Sequence, residues 1–207
     1  MQSSPAPVHR DMPGEGNVPA VSPLGNRVHP LGKVAVTTPI APLEESTEYI
    51  DAGSIKFGLE YRELNEDVLE QNFGHDPAEL ARVKAMHAEG GLPDDTGLSL
   101  HVIDAADDRE MLRFDMFGDD PHYHYMPPEP YHILVVYDVA TNGNMFTWTM
   151  SAVRNRLDLL LANAGYPALA ASYDKAAVAA ALNEITERAS KLKVSVPGGP
   201  AGSVLGS

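Results

Sequence analysis

Between Leu98 and Val139 the chain alternates short strand-like runs with turns, and no connection is long enough for a parallel crossover. That restriction demands an antiparallel meander. Leu98 to Asp104 reads as one strand, Met111 to Phe117 as the next, then His122 to Tyr125 and Tyr131 to Val139. The punctuation is Asp107-Asp108-Arg109, Gly118-Asp-Asp-Pro121 and the proline loop MPPEP at 126–130. A fifth strand precedes them. Ile55, Phe57, Leu59 and Tyr61 alternate with Lys56, Gly58, Glu60 and Arg62, the period of two that half-buried strands show.

Helical patterns flank the meander. A short one runs through Asn65–Leu69. A second starts at Asp76-Pro77-Ala78-Glu79, where the aspartate can cap and the proline suits the first helical position. Two more close the chain, one from about Phe146 to Asn163 and one from Asp174, each with an apolar stripe at helical spacing. The expected fold class is α+β: an antiparallel meander of four to five strands packed against helices. Residues 48–193 form the single domain. Residues 1–47 hold eight of the 17 prolines and few large apolar side chains, so they read as a disordered or extended arm, with Val34-Ala35-Val36 able to dock on a partner as a strand. Residues 194–207 read as a flexible Gly/Pro tail.

Composition removes whole classes of function. With a formal net charge of −14, the chain has no basic footprint for nucleic acid or anionic lipid. The absence of cysteine excludes disulfides, thiolate nucleophiles and cysteine-based zinc sites. No run approaches a membrane span, and no apolar leader precedes the domain, so a cytoplasmic protein is expected. No phosphate-binding loop, dinucleotide fingerprint, HExxH or GxSxG occurs.

Chemistry concentrates in RFDMFGDDPHYHYMPPEPYHILVVYD, residues 113–138. Alternate side chains of a strand share a face. If Phe117 pairs with His122 across the GDDP turn, and Tyr125 pairs with Tyr131 across MPPEP, Asp115 faces His124 and His124 faces His132. One face then carries Arg113, Asp115, Phe117, His122, His124 and His132, while Phe114, Tyr123, Tyr125 and Ile133 lie on the core face. Imidazoles with a carboxylate suit a divalent transition metal such as zinc, iron or manganese, held by His122, His124 and His132 with Asp115 or Glu129 as a further ligand or base. The run His122-X-His124-(X)4-Glu129 partly resembles the first metal-binding motif of the cupin barrels. The flanking glycine is spaced differently and no second motif follows His132, so neither the cupin fold nor its activity is carried over.

Two functions compete at this point. Tyr123, Tyr125, Pro127, Pro128 and Tyr131 have the composition of a contact surface, since tyrosine offers area at low entropic cost. With the proline-rich arm, that makes the leading expectation an accessory or structural subunit of a larger assembly, bound to a protein partner or a second copy of itself. The alternative is a metal-dependent hydrolase or oxygenase built on the histidines.

Overall fold

The computed structural model describes residues 28–35, 39–87 and 95–195. Among these residues eight strands form one antiparallel sheet: β1 (Val28–His29), β2 (Gly32–Ala35), β3 (Thr47–Ala52), β4 (Ile55–Leu64), β5 (Asp95–Asp104), β6 (Glu110–Phe117), β7 (His122–Tyr125) and β8 (His132–Val136). Their spatial order is β1-β2-β8-β7-β6-β5-β4-β3, so β3 to β8 are a pure meander. The sheet is therefore larger than the four to five strands expected. It is also open, with β1 and β3 at opposite edges, unlike a barrel.

The extra strands have separate origins. β3 and β4 make a hairpin in which Ala52 pairs with Ile55 across Gly53-Ser54. Gly53 takes φ +75°, the conformation a tight hairpin wants at its first turn position. β1 and β2 come from the stretch read as an arm. Val34 pairs with Ile133 and Ala35 with His132, so this segment docks as a strand on its own sheet. The remainder of the arm, 1–27 and 36–38, and residues 196–207 of the tail lie outside the described residues.

Helices α1 (Glu66–Phe73), α2 (Pro77–His87), α3 (Val139–Asn142), α4 (Met145–Asn163), α5 (Pro167–Ser172) and α6 (Lys175–Ser195) complete the fold. Their starts follow local chemistry. Asn65 Oδ1 accepts from Val68 N at 3.0 Å, Asn144 Oδ1 from Thr147 N at 3.0 Å, and Asp76 Oδ1 from Glu79 N at 3.1 Å. Asp174 Oδ1 accepts from Ala176 N at 2.8 Å and Ala177 N at 3.0 Å at the head of α6.

α4 and α6 lay Val153, Leu157, Leu161, Leu182 and Ile185 on one face of the sheet, against Phe57, Leu59, Leu100 and Phe114. All nine are buried, and burial of this kind is the main stabilising term. The opposite face is not a solvated one. At its β4 end a smaller cluster of Leu69, Phe73 and Val83 gathers with Ile40, Leu64 and Leu80. There Arg62 Nη2 donates to the carbonyls of Ile40 and Ala41 at 3.2 and 3.1 Å, so the chain crosses over this face. No helix among the described residues is long and apolar enough to cross a membrane.

Candidate metal centre

The face opposite α4 and α6 carries two polar rows, set by the strand registers. One runs Thr47, Glu60, Ser99, Asp115, His122; the next runs Gly58, His101, Arg113, His124. Glu60, Ser99, His101, Arg113, Asp115, His122, His124 and His132 are all buried. Buried polar groups must find partners or cost stability, and here they largely find one another. Gly58 makes room for this: a Cβ there would stand 2.9 Å from Thr47 Cγ2 and 3.4 Å from the His101 side chain.

Three ligand-type atoms converge at one end. His122 Nε2 lies 3.4 Å and His124 Nε2 3.2 Å from Asp115 Oδ2, and the three residues present donor atoms within 4.8 Å of one another. Donors about 2.1 Å from a shared metal stand about 3.0–3.4 Å apart at octahedral to tetrahedral angles, and each imidazole stands at that spacing from Asp115 Oδ2. The second ring nitrogen of His122 is committed: Nδ1–H donates to the carbonyl of Asp120 at 2.7 Å. A carbonyl can only accept, so in the neutral ring the Nε2 lone pair points at a carboxylate oxygen. Two acceptors face each other there, and a cation or a proton between them removes the conflict. Outer hydrogen bonds of this kind orient metal-binding histidines. Ser99 Oγ–H donates to Asp115 Oδ1, leaving Oδ2 for the cluster. The buried Nδ1 of His124 has no hydrogen-bond partner.

Electrostatics keep Asp115 and His124 in their binding forms. Burial by itself would raise the Asp115 carboxyl, but the His124 hydrogen bond and the Arg113 charge outweigh it and hold it well below the usual carboxylate range. Burial pushes the His124 imidazole down to about 4, and the neighbouring Asp115 offsets only part of that. His124 is thus neutral at pH 7, as a ligand must be.

Beside the cluster lies an ion network. Arg113 Nε and Nη2 donate to the two Glu110 oxygens at 2.8 and 2.6 Å. His101 spans two carboxylates, Glu110 at Nδ1 (2.6 Å) and Glu60 at Nε2 (3.2 Å), and Glu60 meets Arg62 Nε at 3.4 Å. Burial would raise the Glu110 carboxyl, yet the Arg113 charge and the hydrogen bonds of His101 and Arg113 bring it from 4.5 down to about 2. The folded protein therefore holds this proton less tightly than the unfolded chain. The stability so gained, about 3–4 kcal/mol at about 1.4 kcal/mol per pH unit, is complete well above pH 4.5 and lost as pH falls toward 2. His124 acts in the same direction between 6.5 and about 4. Urea unfolding between pH 7 and 2.5 should show a decline that steepens below 4.5, with Glu110→Gln making that part shallower and Asp115 supplying what remains.

The sequence placed the right groups on the right face but in a displaced register. Asp115 pairs with His122, not His124, and Arg113 takes the place opposite His124. Tyr125 pairs with Ile133 instead of Tyr131, which sets His124 opposite Leu134. Both corrections are shifts of two residues, so every side chain keeps its face. His132 now sits diagonally from His124, with ring centroids 4.9 Å apart, and is not part of the converging set. Glu129 is exposed on the proline loop. The five contact-surface residues do not make one exposed patch: Tyr125 is buried in the core, Tyr123 stacks on Phe114 at 5.8 Å and meets Trp148 at 5.4 Å, Pro127 and Tyr131 are half-buried, and Pro128 is exposed. Burial also pushes the Tyr123 phenol up to about 12.

Sequence reasoning missed Ser99, His101, Glu60 and Glu110 as site neighbours. Alternation along β4 and β5 was a usable signal for the first three. None existed for Glu110. A register shift between Val102 and Ile103 pairs Ile103 with Glu110, skipping Met111, and brings that carboxylate to Arg113 and His101.

No curated protein and no solved structure matches the chain. A family model does, over residues 49–189, which runs from within β3 through most of α6 and takes in Asp115, His122 and His124. The chain belongs to the family described as Domain of unknown function (DUF7700).

Proposed function

We propose that the protein is a divalent-transition-metal-dependent enzyme whose centre is His122, His124 and Asp115. The observation that carries this reading is the His122 Nε2–Asp115 Oδ2 approach at 3.4 Å, with Nδ1 already donated to a backbone carbonyl. A structural site is usually closed by four protein ligands, whereas a catalytic one keeps positions open. Two imidazoles and one carboxylate leave such positions, and the set suits iron(II), manganese or zinc.

A bound cation of this type supplies Lewis acidity toward a water or substrate oxygen. The chain does the remainder. The Asp120 carbonyl and the Ser99 hydroxyl orient His122 and Asp115. Phe117 packs edge-on against His122 at 5.8 Å, and Leu134 stands opposite His124, so the ligands sit in a largely dry setting that strengthens charge interactions. His132, beside His124, is placed to take or return a proton.

Untagged protein purified without chelator should contain about one transition-metal ion per chain by elemental analysis, and chelation should lower its melting temperature. Metal-free protein whose melting temperature is unmoved by iron(II), manganese(II) or zinc(II) would end the proposal. The identity of the retained metal separates the two chemistries, with zinc favouring hydrolysis and iron favouring oxygen activation.

A further inference from the structure

The turn between β6 and β7 is wound around a side chain from a different strand. Asp95, the first residue of β5, accepts from three successive backbone amides: Gly118 N on Oδ1 at 3.0 Å, and Asp119 N and Asp120 N on Oδ2 at 3.0 and 2.9 Å. Thr96 N adds a fourth donor to Oδ1 at 2.8 Å. Successive amides pointing at one centre make an anion cradle, and here the anion is built into the chain. The carbonyl of Asp120, the last residue of that cradle, is the group that takes the Nδ1–H of His122.

We infer that Asp95 is a positioning residue for the metal centre: its carboxylate holds the 118–120 turn so that the Asp120 carbonyl selects the Nδ1–H tautomer of His122 and aims Nε2 at Asp115. The side chain touches no ligand atom and acts only through the turn. The turn's own sequence, Gly-Asp-Asp-Pro, places three donors and two exposed carboxylates together, and these amides donate outside the turn: to Asp95 and, from Gly118 N, also to the Thr96 carbonyl at 3.2 Å. Charge-assisted bonds to a carboxylate are shorter and roughly twice as strong as neutral ones, so an amide in its place holds the turn less well. An asparagine must also present an N–H₂ group to one or more of the backbone donors. Gly118 belongs to the same arrangement, because a Cβ there would approach Asp95 Oδ1 to 3.3 Å.

The consequence for metal rests on the proposed metal centre, whereas the tautomer does not. Both are therefore measured in the full chain. In ¹⁵N-labelled, chelator-treated protein, long-range ¹H–¹⁵N correlation should show His122 as the Nδ1–H form, and Asp95→Asn should turn it into a mixture of tautomers. Cobalt(II), used as the probe, should bind Asp95→Asn about 10–100-fold more weakly than the unaltered chain, the range for loss of an outer hydrogen bond. A change in stability alone would leave the His122 signals of the folded variant at their original positions. Asp95→Ser, which loses the second carboxylate oxygen without presenting an N–H₂ group, serves if the asparagine variant does not fold, and should shift the tautomer and weaken cobalt(II) in the same direction. An unchanged His122 tautomer in a folded variant would overturn the inference. If the unaltered chain binds no cobalt yet the tautomer shifts, the positioning role stands and the metal reading falls.

Discussion

Arg113→Met is expected to destabilise the folded protein by about 3–5 kcal/mol, the usual cost of removing one partner from a buried ion pair. Arg113 is 2% exposed and its guanidinium makes both of its hydrogen bonds to Glu110, which raises its own pKa and lowers that of Glu110. Methionine fills much of the same volume, so the loss is electrostatic and not a cavity. It leaves Glu110 with His101 alone, and it takes away a charge that helps keep Asp115 ionised. Urea denaturation at pH 7 measures the loss. Adding Glu110→Gln to Arg113→Met should recover much of it, because the stranded carboxylate is then gone. A single-variant change below about 1 kcal/mol would mean that Glu110 escapes to water, and that the network contributes little.

The second large effect is on metal affinity. Asp115→Asn should weaken binding of iron(II), manganese(II) or zinc(II) by about 100-fold or more, since even outer-shell partners of metal ligands are worth 10–100-fold. The substitution nearly preserves shape and retains an oxygen for Ser99, but the anionic ligand is lost. Metal at about 100 times the dissociation constant stabilises the unaltered protein by about 2.7 kcal/mol. At the same concentration, a variant bound 100-fold more weakly gains only about 0.4 kcal/mol. Thermal melts with and without metal read this difference directly. The metal-free variant should itself be less stable at neutral pH, because a carboxyl held well below its ordinary range stabilises the fold whenever it is ionised. Equal metal-induced shifts in the two proteins would remove Asp115 from the ligand set.

The two predictions draw on information of different kinds. Arg113, Asp115, His122 and His124 could be assigned to one face from the chain alone, because a pleat sends alternate side chains to opposite sides wherever a strand exists. That assignment survived a wrong register at both hairpins, since each error was two residues. The registers were less legible. Gly118-Asp-Asp-Pro121 looks like a self-contained four-residue turn, but its amides are drawn to Asp95, 23 residues earlier. Phe117 consequently pairs with Gly97 of β5, and the ladder with β7 ends at Asp115 and His122. The MPPEP loop likewise takes in Tyr131, so Tyr125 meets Ile133. β1 and β2 were hidden because Val34 and Ala35 carry no period of their own and become a strand only when β8 offers its edge.

By itself, then, the chain determined the antiparallel meander, the helix starts at Asn65, Asp76 and Asp174, and the face on which the histidines lie. These follow from the pleat, from capping and from short connections, all of which act within a few residues. Tertiary structure alone decided that the polar face is buried, that Asp115 stands between His122 and His124, and that a bulge lends Glu110 to Arg113. Those outcomes depend on partners far apart in the chain: Asp95 with the 118–120 turn, Arg62 with the carbonyls of Ile40 and Ala41, and β2 with β8. Alternation states which residues share a face, but only the packed sheet sets which of them come within 3.5 Å and whether water reaches them.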